Sequence, residues 1–275
     1  MINGIEFMGY PTIDVHGHCG AYDGYKELQG RLANAPADEV VARAESCHIV
    51  MTLVSELGAF DAAPDRRSDV DAANRRAQVA VVPFNNLKFY AVVNPKNNSW
   101  KDQTQKLLKD PNCAGVKLHP RWNYWSVEEY GDQVFSFLNE RGTLTLTHTG
   151  NPGNEPERFI PFTNKYPHVK LILAHIGHDE TDDTLDRQIK AVRMSTQANV
   201  WSDTSSSKSV SGRLIEFAVD QIGAERVLFG SDTPLYFAPA QKARIAYAQI
   251  SDEAKRRILY TNAAELLELP QNPPT

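Results

Sequence analysis

Residues 12–18 read Thr-Ile-Asp-Val-His-Gly-His, an apolar and β-branched run that ends in two histidines spaced two apart. On a strand, alternate side chains project from one face, so His16 and His18 aim at a single point. Neutral imidazole is a common ligand for zinc and similar ions, but two nitrogens alone bind weakly, so further ligands must come from elsewhere in the chain. Working outward, comparable runs recur at residues 49–55, 89–94, 115–119, 144–148, 169–175, 200–204 and 227–232, which makes eight predicted strands. Between them, residues 37–47, 68–81, 100–109, 126–141, 155–166, 182–198 and 213–222 carry helical character. Ser126 and Glu129 have the spacing of a capping box, and Gly142 and Gly223 stand where helix C-termini favour a left-handed residue.

Strands alternating with helices imply a parallel sheet, and eight repeats in 275 residues imply closure. The expected fold is an α/β, (β/α)8 TIM barrel, distorted, forming one domain over residues 1–275. A doubly wound open sheet is the rival, but no GxGxxG follows the first run. Residues 251–269 are expected to add one or two helices packing outside the barrel, and residues 271–275 to fray.

A hydrophobic fraction of 41% supports one large core, and no stretch approaches the ~20 apolar residues of a membrane helix. The start lacks the basic and apolar blocks of a signal peptide, so a soluble, cytoplasmic enzyme is the expectation. A formal charge of −5, with no Lys/Arg cluster, argues against nucleic acid as a partner. Three cysteines, Cys19, Cys47 and Cys113, without CxxC spacing, read as free thiols. A small-molecule substrate and a homo-oligomer are the expected partners.

The titratable residues fall at the C-terminal ends of the runs: His16 and His18, Lys117 and His119, His148, His175 and Asp232. That rim is where barrels of this kind do chemistry. Leu144 and Leu146 share the face of His148, and Leu171 and Leu173 that of His175, so both histidines are expected to cap apolar columns filling the interior.

Gly-Val-Lys-Leu-His-Pro (115–120), Thr-His-Thr-Gly (147–150), Leu-Ala-His-Ile-Gly (173–177) and Phe-Gly-Ser-Asp-Thr-Pro (229–234) resemble the amidohydrolase superfamily, in its amidohydrolase-related branch with aminocarboxymuconate semialdehyde decarboxylase. The likeness extends to Asn262-Ala-Ala-Glu-Leu-Leu. It implies His16, His18 and His148 as metal ligands, Asp232 as a ligand that doubles as proton acceptor, and His175 as the group that polarises substrate or contacts bound water. It also implies one divalent metal, most often zinc. Three imidazoles and a carboxylate leave an open position, where the pKa of bound water falls from about 15.7 to about 7. Attack by that water would hydrolyse an amide, ester or lactone, while the related addition to an unsaturated acid leads to decarboxylation.

Lys117 admits three readings: a carbamate bridging a second metal, a substrate-binding or catalytic cation, or a structural ion pair. His119, Arg121 and Trp122, with Tyr124 and Trp125, are candidates to hold an anionic or aromatic substrate, the alternative being a hydrophobic lid anchor. Cys19 adjoins the histidine pair, though a buried thiol is the simpler account. Asp14 shares the face of His16 and is placed to orient ligands from behind. Asp203 either reaches the site or caps the next turn. His48 and His168 read as surface residues, and His178 as exposed or adjacent to substrate. The function read from these residues is metal-dependent hydrolysis of a small, carboxylate-bearing substrate; the alternatives are a non-oxidative decarboxylase using the same site, and an inactive barrel kept for binding.

Overall fold

The computed structural model describes residues 4–206 and 210–273. Eight parallel strands follow one another in sequence order: β1 (Thr12–Cys19), β2 (Ile49–Glu56), β3 (Leu87–Val93), β4 (Cys113–Leu118), β5 (Leu144–Thr147), β6 (Lys170–Leu173), β7 (Val200–Asp203) and β8 (Val227–Leu228). β8 forms no long ladder with β1. The sheet closes instead through Val15 N–H to Phe229 O (3.0 Å), Asp232 N–H to His16 O (2.7 Å) and His18 N–H to Thr233 O (2.6 Å). The predicted TIM barrel is therefore present, and the last seam is held by the segment that carries Asp232. No described helix is long and apolar enough to cross a membrane.

The barrel interior is filled from opposite strands by Ile13, Val15, Leu53, Tyr90, Leu144, Leu146, Ile172 and Leu228. β1 shifts register against β2 between Asp14 and Gly17, a bulge that lets Val15 face the interior and His16 point inward above it. The column expected under His175 is different. Leu171 and Leu173 pack outward with Val134, Phe135, Phe159 and Val192, whereas Ile172 and Ala174 face the interior. His175 joins the inner side because its backbone enters the left-handed region at φ 75°, which breaks strand alternation.

Three helical features depart from expectation. The helix predicted over residues 182–198 spans only Arg187–Met194. Ahead of it the Asp179 carboxylate accepts from the backbone N–H groups of Thr181, Asp182 and Thr184, offering them turn partners in place of helical ones. The eighth barrel helix, Ala238–Ala246, was not foreseen; its buried face includes Gln241 and Lys242, so no apolar stripe announces it. The tail, helical from Asp252 to Leu266, packs only partly outside the barrel, where Ile258 and Leu259 meet Ile215 and Ile245. Tyr260, Ala263 and Ala264 cover the N-terminal ends of the strands and join the interior core. At Ser126 half of the capping box forms, the hydroxyl accepting from Glu129 N–H at 3.3 Å, and Gly142 and Gly223 both have positive φ.

Candidate metal centre and active site

A cavity of about 240 Å³ opens at the C-terminal ends of the strands, and its wall includes His16, His18, Lys117, His119, Arg121, Trp122, His148, His175 and Asp232. Each side chain arrives by its own device. Strand alternation on β4 sends Lys117 inward while Val116 and Leu118 pack against helices. His119 caps the short helix Pro120–Asn123, its Nδ1 accepting from Trp122 N–H at 3.2 Å. Asp232, like His175, has positive φ, at 58°. Histidine and aspartate tolerate this region better than most residues, and here it turns both side chains out of strand alternation toward the cavity.

His18 Nε2 lies 3.0 Å and His16 Nε2 3.5 Å from Asp232 Oδ1. That oxygen is buried, and beyond these two imidazole contacts it has no hydrogen-bond partner among the described residues. Among the described residues, two triads have donor atoms close enough to share an ion: His16, His18 and Asp232, and His16, His175 and Asp203. His148 belongs to neither triad. Its Nδ1 stands 3.0 Å from His175 Nε2, and its Nε2 contacts the side-chain oxygen Oδ1 of Asn151.

Burial removes water from these groups and sets their charge. Burial, reinforced by the Lys117 ammonium, holds His16 well below the usual histidine range. Burial and neighbouring histidines do the same to His119 and His175, and burial takes His148 down to about 3. All four are neutral at physiological pH, the state in which imidazole ligates metal. Burial would raise Asp232, but His16, His18 and Lys117 outweigh it and hold the carboxyl at about 2. Burial lowers Lys117 to about 8, and its Nζ stands 2.8 Å from His16 Nε2.

Behind the cavity, Asp203 reaches the site: Oδ2 is 2.9 Å from His16 Nδ1 and Oδ1 accepts from His175 N–H at 3.0 Å. Asp14, whose side chain accepts from the N–H groups of His16 and Ser231, ties β1 to the Asp232 segment. Ser55 Oγ supports His18 Nδ1 at 2.9 Å, and Ser205 Oγ supports His175 Nδ1 at 2.7 Å. Ser55, Asn151 and Ser205 were not singled out from the sequence; position was the sole signal, Ser205 lying two beyond Asp203 and Asn151 three beyond His148. Both ring nitrogens of His175 thus face protein partners. Cys19 points away from the site, packing with Val40, Val54 and Phe89, and burial pushes its thiol up to about 12. His48 and His168 are exposed.

On the outer wall four rings lie nearly parallel. His148 stacks on His119 at 4.2 Å, His119 on Trp122 at 4.6 Å, and Trp122 on Tyr22 at 4.6 Å. Trp122 is accordingly a fixed wall, and Arg121 beside it is exposed at the lip.

The donor set fits a divalent cation. Two imidazoles and an ionised carboxylate converge on a point where the buried Asp232 Oδ1 has no other partner.

No curated protein matches the sequence. Solved structures share its fold at low identity. They include 2,6-dihydroxybenzoate decarboxylase complexed with 2,6-dihydroxybenzoate, with TM-score 0.74, 14% identity, and coverage of 94% of this chain and 99% of that one. A dihydroxybenzoic acid decarboxylase from Polaromonas sp. JS666, with bound manganese and the inhibitor 2-nitroresorcinol, gives TM-score 0.71, 15% identity, and coverage of 94% and 97%. An amidohydrolase II structure gives 0.71, 18%, and coverage of 94% and 99%. A family model described as amidohydrolase matches residues 13–269, from the first strand to the helix that closes the barrel floor, and the chain belongs to that family.

Proposed function

We propose that the protein is a metal-dependent hydrolase in which His16, His18, His148 and Asp232 hold one divalent ion, expected to be zinc, and that it opens an ester, amide or lactone bond in a small carboxylate-bearing molecule. The observation that carries this reading is the buried Asp232 Oδ1, whose only near polar neighbours among the described residues are two imidazole nitrogens at 3.0 and 3.5 Å. A divalent ion bound there supplies Lewis-acid polarisation and an acidified water. The ligand role of His148 asks that its Nε2 leave the Asn151 amide for the ion.

The protein's own groups favour hydrolysis in their resting charge states. Asp232, ionised with its pKa at about 2, is a proton acceptor, and His16, His119, His148 and His175 are neutral. Hydrolysis first requires an acceptor for the proton of attacking water, whereas decarboxylation must deliver a proton to carbon. Because His175 is engaged on both nitrogens, stabilisation of a developing oxyanion passes to Lys117 and to His119, whose Nδ1 accepts from Trp122 and whose proton therefore sits on Nε2. Lys117 acts as a free side-chain cation that turns from His16 Nε2 to the substrate once that nitrogen is on the ion, rather than as a carbamate between two ions. Arg121 at the lip suits a substrate carboxylate.

Decarboxylation by the same residues is the second reading, supported by the decarboxylases among the solved structures that share the fold and by the flat wall of His119 and Trp122. A panel of lactones, esters, amides and unsaturated or aromatic carboxylic acids, offered to protein loaded with zinc or manganese, separates the two. Acid release without carbon dioxide is expected. Carbon dioxide from a carboxylic acid, with no hydrolysis across the panel, would replace the first reading by the second.

A further inference from the structure

Ser205 lies two residues past the end of β7 and is fully buried. Its Oγ stands 2.5 Å from Asp203 Oδ1, 2.7 Å from His175 Nδ1 and 3.0 Å from His16 Nδ1. A hydroxyl has one proton to give, and three acceptors are in reach. Giving it to His16 leaves the same protonless Ser205–Asp203 contact as giving it to His175, so the choice is between two orderings, donation to Asp203 or to a histidine, here His175.

In the first, Ser205 donates to the Asp203 carboxylate and accepts the Nδ1–H of His175. A neutral imidazole protonated on Nδ1 is bare on Nε2, and His175 Nε2 faces His148 Nδ1 at 3.0 Å. The proton in that contact then belongs to His148, whose own Nε2 is left bare. In the second, Ser205 donates to His175 and every step reverses, leaving Ser205 Oγ and Asp203 Oδ1 in contact with no proton between them.

Two oxygen lone pairs cannot share that separation at low cost, so the second ordering fails. The first asks only that Asn151 turn its amide nitrogen toward His148 Nε2, and the two ends of an amide exchange by rotation. His16 obeys the same logic. Its Nδ1 donates to Asp203 Oδ2 at 2.9 Å, and its bare Nε2 accepts from Lys117 Nζ at 2.8 Å.

We propose that Ser205 is a positioning residue for the metal: with Asp203 it sets the tautomers of His175, His148 and His16, so that Nε2 of His16 and of His148 carries the lone pair, which ligates the ion once Lys117 and Asn151 release it. One hydroxyl thereby couples ligands on β1 and at the end of β5. The proposal rests on the metal-site reading above, but the tautomers belong to the metal-free protein and are measurable without turnover.

Nitrogen-15 NMR of metal-free wild type at neutral pH should show His16 and His148 protonated on Nδ1. In Ser205→Ala the His148 and His175 protons should move to Nε2, and the zinc dissociation constant, read by chelator competition, should rise about 10–100-fold. Ser205→Thr, which keeps the hydroxyl, should restore both. Nε2 protonation of His148 in the metal-free wild type would overturn the relay even if the alanine variant failed to fold, and so would a Ser205→Ala protein with unchanged zinc affinity. Expected tautomers and zinc affinity without hydrolysis of any substrate would leave the relay standing and remove the hydrolase reading instead.

Discussion

Asp232 sits where desolvation alone would protonate it, yet the histidines and Lys117 around it keep it ionised, with its pKa at about 2. A carboxylate kept ionised against burial is a ready acceptor, and an amide of the same shape is not. Asp232→Asn is therefore expected to fold, with a metal-free Tm close to that of the metal-free wild type, while kcat/KM for the hydrolysed substrate falls about 10²–10⁴-fold. Metal content measured on the same preparation separates a lost ligand from a lost base. Turnover at the wild-type rate would remove Asp232 as acceptor. At this scale the sequence was informative wherever a titratable side chain ended an apolar run, because few other roles place imidazoles and a carboxylate there. It was silent on Ser55, Asn151 and Ser205, since serine and asparagine are ordinary loop residues and only the fold shows which ring nitrogen each one meets. Asp203 was undecidable for the same reason: its contact with His16 spans 187 positions of chain.

Among elements, strands were legible and their neighbours less so. A parallel strand buried on both faces reads as a β-branched run, and all eight appear. Alternation misled at β6, because the left-handed backbone of His175 turns one residue against the pleat and no pattern of side chains encodes that. The helix Ala238–Ala246 was illegible because it buries Lys242. That ammonium donates to Tyr10 O (2.7 Å), Cys47 O (2.7 Å) and His48 O (3.3 Å), carbonyls just ahead of β1 and β2. The lysine thus fastens the eighth helix across the barrel seam. Lys242→Met keeps the length of the side chain but leaves buried acceptors without a donor, so about 2–4 kcal/mol of stability should be lost in urea denaturation at neutral pH. A change under about 0.5 kcal/mol would show that water replaces the ammonium and that the seam is held otherwise.

At the scale of the molecule, the barrel sets side chains that are remote in sequence around one point, and β1 meets the Asp232 segment through only a few hydrogen bonds. The proposed ligands straddle that seam: His16 and His18 lie on one side and Asp232 on the other, with His148 across the mouth. An ion bound by all four would bridge elements that the backbone joins weakly, and it would bind the folded chain alone, since the unfolded chain scatters these residues. Folding and metal binding are then linked by mass action, and a free ion at 100 times its dissociation constant adds about 2.7 kcal/mol. For a chain of this length that corresponds to a rise in Tm of roughly 5–10 °C. Scanning calorimetry of chelator-stripped protein, with zinc or manganese added back, should show this rise growing with the logarithm of ion concentration. The rise should shrink in His148→Ala, whose remaining ligands no longer span the mouth. A Tm independent of ion concentration in the wild type would mean that the histidines and Asp232 are held by their own hydrogen bonds, and the metal centre would fall with the chemistry built on it.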